Sequence, residues 1–249
     1  MKKRYWDRVA KKYFENIMSP FQEGVKNPLY DYIDKLEGKD KSAIDIGTGI
    51  GNAIPHLAGR FAHVTAIDIS DKMIEVAKEK HKFENISFFV RNATNLEEFH
   101  GKFDVAVAVN SIIVPTIKDL EKIIAETHKV LKDGGRLLAV FPSMEAILYQ
   151  AMLVYETVLQ ETGSEKKARL RTARELGANK FDFLTGVDKE GFAQKYFYRF
   201  EVKYRLKKAG FKNIRMSKVF YPWEISHESG YSSFQGKPRM WDWFVVAEK

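Results

Sequence analysis

The sequence contains no cysteine. That excludes disulfides and thiolate metal sites, and it fits a cytoplasmic enzyme. Low cysteine beside abundant lysine and glutamate also suits a thermophilic source. No apolar run is long enough to cross a bilayer, so no membrane span is expected. Met1-Lys2-Lys3-Arg4-Tyr5-Trp6-Asp7 is charged and lacks the apolar stretch of a secretion signal. There is no internal repeat and no low-complexity tract. The six histidines show no H-x-x-x-H pairing, so no metal site is expected. What remains is a chain of 249 residues, 45% hydrophobic and 30% charged, which is the profile of a globular domain with a sizeable core.

The formal net charge is +8, and its location matters more than its size. Residues 1–42 carry ten Lys/Arg against seven Asp/Glu, and residues 43–142 twelve against thirteen. Residues 143–202 balance at nine and nine, whereas 203–249 hold ten against four. The surplus sits at the two ends, mostly the second. It reads as a solvated basic face, or as a surface for an acidic ligand, a membrane surface or RNA.

Short β-type runs alternate with helical patterns through the middle of the chain, as in a parallel sheet with crossover helices. Strands are expected at Ala43–Ile46, His63–Ile69, Ile86–Val90, Phe103–Val109 and Arg136–Phe141. Ser70 is placed to cap a helix through Asp71–His81, and Thr116 to cap another reaching Leu131. Lys132-Asp133-Gly134-Gly135 should stop that helix and turn into the fifth strand. The rhythm then breaks. Met144–Gln160 is apolar nearly all round, as a buried helix, a lid or a subunit interface would be, and Ser164 opens a charged helical pattern to about Leu176. A helix over Val202–Ala209 and strands over Ile214–Phe220 and Trp241–Ala247 follow. The division expected is one domain over 1–249, with a helical cap (1–42), a core (43–142), a helical insertion or lid (143–202) and late core strands (203–249).

The strongest chemical signal is Ala43-Ile44-Asp45-Ile46-Gly47-Thr48-Gly49-Ile50-Gly51-Asn52, a strand entering a glycine-rich turn before a helix. Glycines let a ligand approach the backbone without meeting a Cβ, and a following helix N-terminus offers free N–H groups to an anion. The spacing is G-x-G-x-G rather than the G-x-G-x-x-G of nicotinamide enzymes, and no G-x-x-x-x-G-K-[ST] phosphate loop exists. About 20 residues further on, the next strand ends in Asp68, the separation expected of an acid that accepts from ribose hydroxyls.

Asp45 to Gly51, taken with Asp68, resembles the first two motifs of the class I S-adenosylmethionine-dependent methyltransferases, of the small-molecule, methyltransferase-domain 11/25 kind. The likeness extends through most of 1–142 and returns at 200–249. It implies a Rossmann-like α/β three-layer sandwich with a seven-stranded, mostly parallel sheet whose last strand is antiparallel, plus a helical insertion after the fifth strand. It also implies S-adenosylmethionine as cofactor and S-adenosylhomocysteine as product. The cofactor set it suggests begins with Asp45 (amino group), Gly47, Thr48, Gly49 and Gly51, then Asp68 (ribose), Ile69 and Met73. It continues with Asn92, Ala93 and Thr94 beside adenine, Asn110 and Ser111 beside the methionine, and Tyr5 or Tyr13 on a covering helix. Asn92 stands where the family usually has Asp, yet an amide oxygen still accepts from adenine N6 and the Ala93 N–H can donate to N1.

The acceptor is less legible. Of the 33 aromatic residues, 15 fall within 192–249, enough for an apolar acceptor pocket or for stacking on unpaired RNA bases. His227, in the loop from Tyr221 to Glu228, is the one histidine whose position suggests a role. A small-molecule acceptor is the leading expectation, with RNA or protein methylation and non-catalytic cofactor binding as alternatives. The chain is expected to act as a monomer or homodimer, and no catalytic residue can be named from spacing alone.

Overall fold

The computed structural model of the chain describes residues 3–12, 19–177, 181–189, 193–223, 234 and 236–249. Two short helices come first, α1 (Lys3–Val9) and α2 (Pro28–Asp34). The apolar runs then become strands β1 (Ser42–Ile46), β2 (His63–Asp68), β3 (Ile86–Val90), β4 (Phe103–Val109) and β5 (Leu131–Phe141). Between them lie α3 (Ile54–Arg60), α4 (Asp71–Lys80) and α5 (Ile117–Val130). Ser70 and Thr116 cap α4 and α5 as expected, accepting from the N–H groups of Met73 and Asp119. The fifth strand starts at Leu131, earlier than expected. The Gly134-Gly135 turn, with Gly134 at φ +76°, is absorbed as an irregular entry to the strand rather than separating it from the helix.

After β5 the chain forms a helical hairpin, α6 (Met144–Thr162) and α7 (Glu165–Glu175), joined at Gly163 in the left-handed conformation. Ala168 of α7 packs against Leu153, Val154 and Val158 of α6. The apolar stretch is therefore only partly buried. Leu148 and Met152 stay 41% and 50% exposed. The insertion is also not purely helical. It continues into β6 (Phe181–Asp182), β7 (Val187–Asp188) and β8 (Gln194–Lys195), a small antiparallel sheet. Two-residue strands are too short to show alternation, so sequence pattern could not reveal them.

What holds this small sheet is Lys195, fully buried. Its ammonium donates to Thr185 O (2.6 Å), Tyr196 O (2.9 Å) and Glu201 Oε2 (2.7 Å). Three donors meet three acceptors, which is what a buried ammonium requires. Glu201 belongs to α8 (Arg199–Lys208), which begins three residues before the expected Val202. Strands β9 (Lys212–Tyr221) and β10 (Met240–Glu248) finish the chain.

The main sheet has the order β3-β2-β1-β4-β5-β10-β9. Strand β10 runs antiparallel to both neighbours and the other pairings are parallel. Alternation sends Ile44, Ile46, Ala106, Leu137, Phe141 and Val245 to one face, against Ile123 and Leu206 of α5 and α8. Ala43, Val64, Val107, Leu138 and Phe244 face the other way, against Leu29 of α2 and Leu57 of α3. This is a three-layer Rossmann-like sandwich with helices on both faces, and the carboxyl ends of the parallel strands form one edge. Among the described residues, no helix is long and apolar enough to cross a membrane.

Candidate functional site

At the end of β1 the chain must turn sharply while the loop after β4 presses on it. Gly47 sits at φ +74°, and a Cβ there would lie 2.3 Å from the Cβ of Ser111. Only glycine fits that approach. Ser111 completes the contact by donating its hydroxyl to Ile46 O at 2.6 Å, and the N–H groups of Gly47 and Thr48 both donate to Ile67 O. Gly51 is constrained likewise, at φ +85° with His81 packed where a side chain would go. Helix α3 begins three residues beyond it, with Ile54. The turn itself, not a helix N-terminus, therefore borders the open space, a correction to the expectation from sequence.

Asp45 lies beneath this turn. Period-two alternation puts it on the face of Ala43, toward α3, and the loop folds over it. It is 3% exposed, and its Oδ2 accepts from the Thr48 hydroxyl at 2.6 Å. Burial pushes its pKa up to about 7. The nearby Asp68 carboxylate adds to the rise and the Thr48 hydrogen bond opposes it.

Asp68, the last residue of β2, turns toward the glycine loop. Its Oδ2 accepts from the Gly49 N–H at 3.0 Å and its Oδ1 from the Ser70 N–H at 2.8 Å. Burial lifts its pKa to about 6, less than it would without those donated hydrogen bonds. Helix α1 is pinned across this corner. The Ser70 hydroxyl donates to Asp7 at 2.6 Å while accepting from Met73, and Lys3 pairs with Asp71. Tyr5 and Trp6 meet edge to face at 5.2 Å beside Val9, Ile50 and Met73.

The third and fourth strands supply the rest. After β3, Asn92 Oδ1 accepts from its own Thr94 N–H at 3.0 Å, which folds Asn92–Thr94 into a tight turn. Arg91 beside it pairs with Glu98. After β4, Asn110 adopts φ +45°, a conformation that asparagine tolerates better than most residues. Its Nδ2 donates to Asp242 Oδ2 at 3.0 Å.

These strand ends surround one cleft of about 960 Å³, open to solvent. Ten residues expected from sequence line it: Gly47, Gly49, Asp68, Ile69, Met73, Asn92, Ala93, Thr94, Asn110 and Ser111. Asp45, Thr48, Gly51 and Tyr5 do not. The first three build the turn from below, and Tyr5 packs beside Trp6, which lines the cleft in its place. Tyr13 and His227 lie outside the described residues. Arg91, Asp119, Val114 and Ile123 also line the cleft and were missed. Asp119 and Ile123 are one helical turn apart on α5, a spacing that could have linked them only once α5 was known to flank the site.

Three other histidines contact neighbouring side chains away from the cleft. His56 stacks on Tyr30 at 4.0 Å, His128 meets Phe211 edge-on, and His100 bonds Glu126 at 2.9 Å. Glu126 is buried, which raises its pKa. The hydrogen bonds from His100, the Leu96 N–H and Lys129 outweigh that and bring it down to about 2.

Comparison with known proteins agrees with this geometry. Residues 43–135 match the family model described as a methyltransferase domain. The ubiquinone/menaquinone biosynthesis C-methyltransferase of Brucella suis is 29% identical over 141 residues, covering 53% of this chain and 52% of that protein. The chain thus aligns with about half the length of the curated relatives it matches. Among solved structures, a methyltransferase of Methanosarcina mazei superposes with a TM-score of 0.60 at 22% identity, over 88% of this chain and 96% of the other. One of Thermotoga maritima gives 0.61 at 19% identity over 100% of both. At those identities the superpositions speak for the fold. With the glycine turn and the acid at the end of β2, the match identifies residues 43–135 as a methyltransferase domain, on a fold shared with S-adenosylmethionine-dependent methyltransferases.

Proposed function

We propose that this chain transfers a methyl group from S-adenosylmethionine to a small-molecule acceptor. The observation that carries the reading is the cleft itself. Four neighbouring strand ends present, in the order β3, β2, β1, β4, a turn at Asn92–Thr94, the Asp68 carboxylate, the side-chain-free backbone of Gly47 and Gly49, and Asn110–Ser111. That row suits adenine, ribose and an amino-acid tail in sequence. Asp68 accepts from the ribose hydroxyls, the Ala93 N–H and the Asn92 amide oxygen address the adenine edge, and Ile69, Val114 and Ile123 give the base apolar walls. Asp45 and Thr48 act from beneath, by holding the turn in shape.

When bound, the cofactor supplies a sulfonium methyl that passes by in-line displacement to a lone pair of the acceptor. The protein's part is alignment and exclusion of water. Trp6, on the helix pinned through Asp7 and Ser70, covers one side of the cleft. The insertion after β5 is proposed to roof the acceptor, with α6 as its main wall. A small acceptor fits the printed name of the Brucella relative and the engagement of four of the ten C-terminal basic side chains in contacts within the chain. Arg205 and Lys208 both reach Glu121, Lys249 faces Asp133, and Lys218 sits on the Trp241 ring.

Titration calorimetry with S-adenosylmethionine, S-adenosylhomocysteine and NADH tests the cofactor. Binding of the first two and not the third is expected, and binding of NADH alone would overturn the reading. Transfer of labelled methyl into a metabolite extract but not into total RNA or protein would support a small acceptor. Label appearing in RNA would replace it.

A further inference from the structure

Helix α8 has two unlike faces. On the side facing α5 every charge is paired. Arg205 bonds Glu201 and Glu121, Lys208 bonds Glu121, and Val202 and Leu206 are buried. On the outer side, Arg199, Phe200, Lys203, Tyr204 and Lys207 fall within a stripe of about 140°. The stripe holds no acid, and none of its three cations has an ion-pair partner among the described residues. Phe200 and Tyr204 stand 71% and 62% exposed. Leu184 lies beside them, 91% exposed in the turn between β6 and β7. Tyr198 joins the two features. Its hydroxyl donates to Phe183 O at 2.8 Å while its ring stacks on Phe200 at 5.3 Å. The acid in that turn, Asp182, is engaged by the N–H groups of Leu184 and Thr185. A single exposed ring is ordinary, but three large apolar side chains interleaved with unpaired cations mark an interaction surface.

We propose that this surface docks on an anionic phospholipid membrane, with Leu184, Phe200 and Tyr204 entering the headgroup boundary and Arg199, Lys203 and Lys207 meeting lipid phosphates. The charge is complementary, since three free cations without an acid face a negative surface. The mixture is also that of a bilayer interface, where apolar side chains enter and lysine stems lie flat with their ammonium groups among the headgroups. A protein interface core is instead depleted in lysine. A second copy of the chain would bring like charges together. Unpaired RNA bases stack on ring faces, and Leu184, the most exposed of the three apolar side chains, offers none. None of these residues lines the cleft, so the inference stands apart from the cofactor reading.

Co-sedimentation tests it with two kinds of vesicle, phosphatidylcholine alone and equal parts of phosphatidylcholine and phosphatidylglycerol. The wild-type chain should pellet with the mixed vesicles and not with the neutral ones, and added salt should release it. Phe200→Ser combined with Tyr204→Ser should weaken binding by about tenfold or more. Lys207→Gln should weaken it about fivefold, the share of one lysine at an anionic surface. Lys208→Gln removes the same charge one residue away, from an ammonium already paired with Glu121, and should cost clearly less affinity. The rings and both lysines are exposed, so each variant should melt as the wild type does, and Lys207→Gln carries the test if the double variant does not. A wild-type chain that ignores the mixed vesicles, ring substitutions that change nothing, or equal losses in Lys207→Gln and Lys208→Gln would overturn the inference. So would polyuridylate that binds this face more tightly than the mixed vesicles, which would assign it to RNA. A wild-type dimer that the ring substitutions dissociate would overturn it in favour of a second copy.

Discussion

The carboxyl edge of the sheet is built in two different ways. Over β3, β2, β1 and β4 the strand ends offer the cleft turns and small polar groups: glycine backbone, the Asp68 carboxylate, two asparagines, a threonine and a serine. Over β10 and β9 the same edge is crowded with large rings. Trp241 and Trp243 meet at 6.1 Å, Tyr149 of α6 stands 5.7 Å from Trp241, and Lys218 lies 3.6 Å over the Trp241 ring. The first region depends on backbone geometry that very few residues can supply. The second depends on packing, for which many residues serve. On the proposed function, the first kind of construction would recognise a ligand common to many enzymes and the second would accommodate an individual acceptor.

The comparison breaks most severely at Gly47. Alanine there meets Ser111 at 2.3 Å and must also accept φ +74°. We expect Gly47→Ala to remove detectable S-adenosylhomocysteine binding, a loss beyond about a hundredfold, because the turn and the loop after β4 cannot both keep their places. Gly101→Ala is the control, since it also has positive φ but nothing within 4 Å. It should cost only about 1 kcal/mol of stability and leave affinity intact. Calorimetry and thermal unfolding of the pair separate steric intrusion from backbone strain.

On the other side, Lys195→Met leaves Glu201, with a side chain only 12% exposed, one cation short and two half-buried carbonyls without their donor. Breaking a buried pair in this way costs about 3 kcal/mol. Because Lys195 anchors the insertion and does not touch the cleft, S-adenosylhomocysteine affinity of the folded variant should be unchanged. A parallel loss of affinity would show that the two regions are not separable.

That separation also explains what sequence could reveal. Strands β1, β2, β4 and β5 were legible because burial on both faces demands continuous apolar runs, the edge strand β3 from its run of β-formers alone, and Asp68 because an acid closes an otherwise apolar strand. Four residues assigned to the cofactor by resemblance proved to stand behind or beside the cleft. Asp45 is the clearest case, since a motif records that a carboxylate is required there but not which way strand alternation turns it. Trp6 replaced Tyr5 for a related reason: one helical residue is about a quarter turn, and the helix phase is fixed only by packing. The small sheet and Asp242 were invisible. Their partners lie up to 132 residues away in the chain, and no local pattern encodes such a pairing.

Asp68→Ala should weaken S-adenosylhomocysteine by about tenfold to a hundredfold, as expected for removing charge-assisted hydrogen bonds, with a smaller change in melting temperature. Retained affinity would remove the ribose from β2.

The smallest effect is a pH dependence whose sign differs between the empty and the liganded protein. Asp68 and Asp45 have folded pKa values raised to about 6 and about 7, above those of an unfolded carboxylate. Each therefore contributes stability that is fully present below about pH 4 and is lost as pH rises through its folded value. Ligand binding favours the ionised Asp68, which accepts from hydroxyls, so affinity should rise with pH over the same interval and level off above about 7. Between pH 7 and 5 the expected fall in wild-type affinity is about tenfold, the limit for one proton with a pKa near 6. Asp68→Asn removes its own share of both trends, and any slope that persists reports on Asp45 beneath the turn. The unliganded protein should melt higher in wild type relative to Asp68→Asn at pH 5 than at pH 7.5. An opposite ordering would mean that Asp68 is ionised throughout, held by the Gly49 and Ser70 N–H groups more strongly than burial opposes them, and the cleft would then bind its ligand without a proton switch.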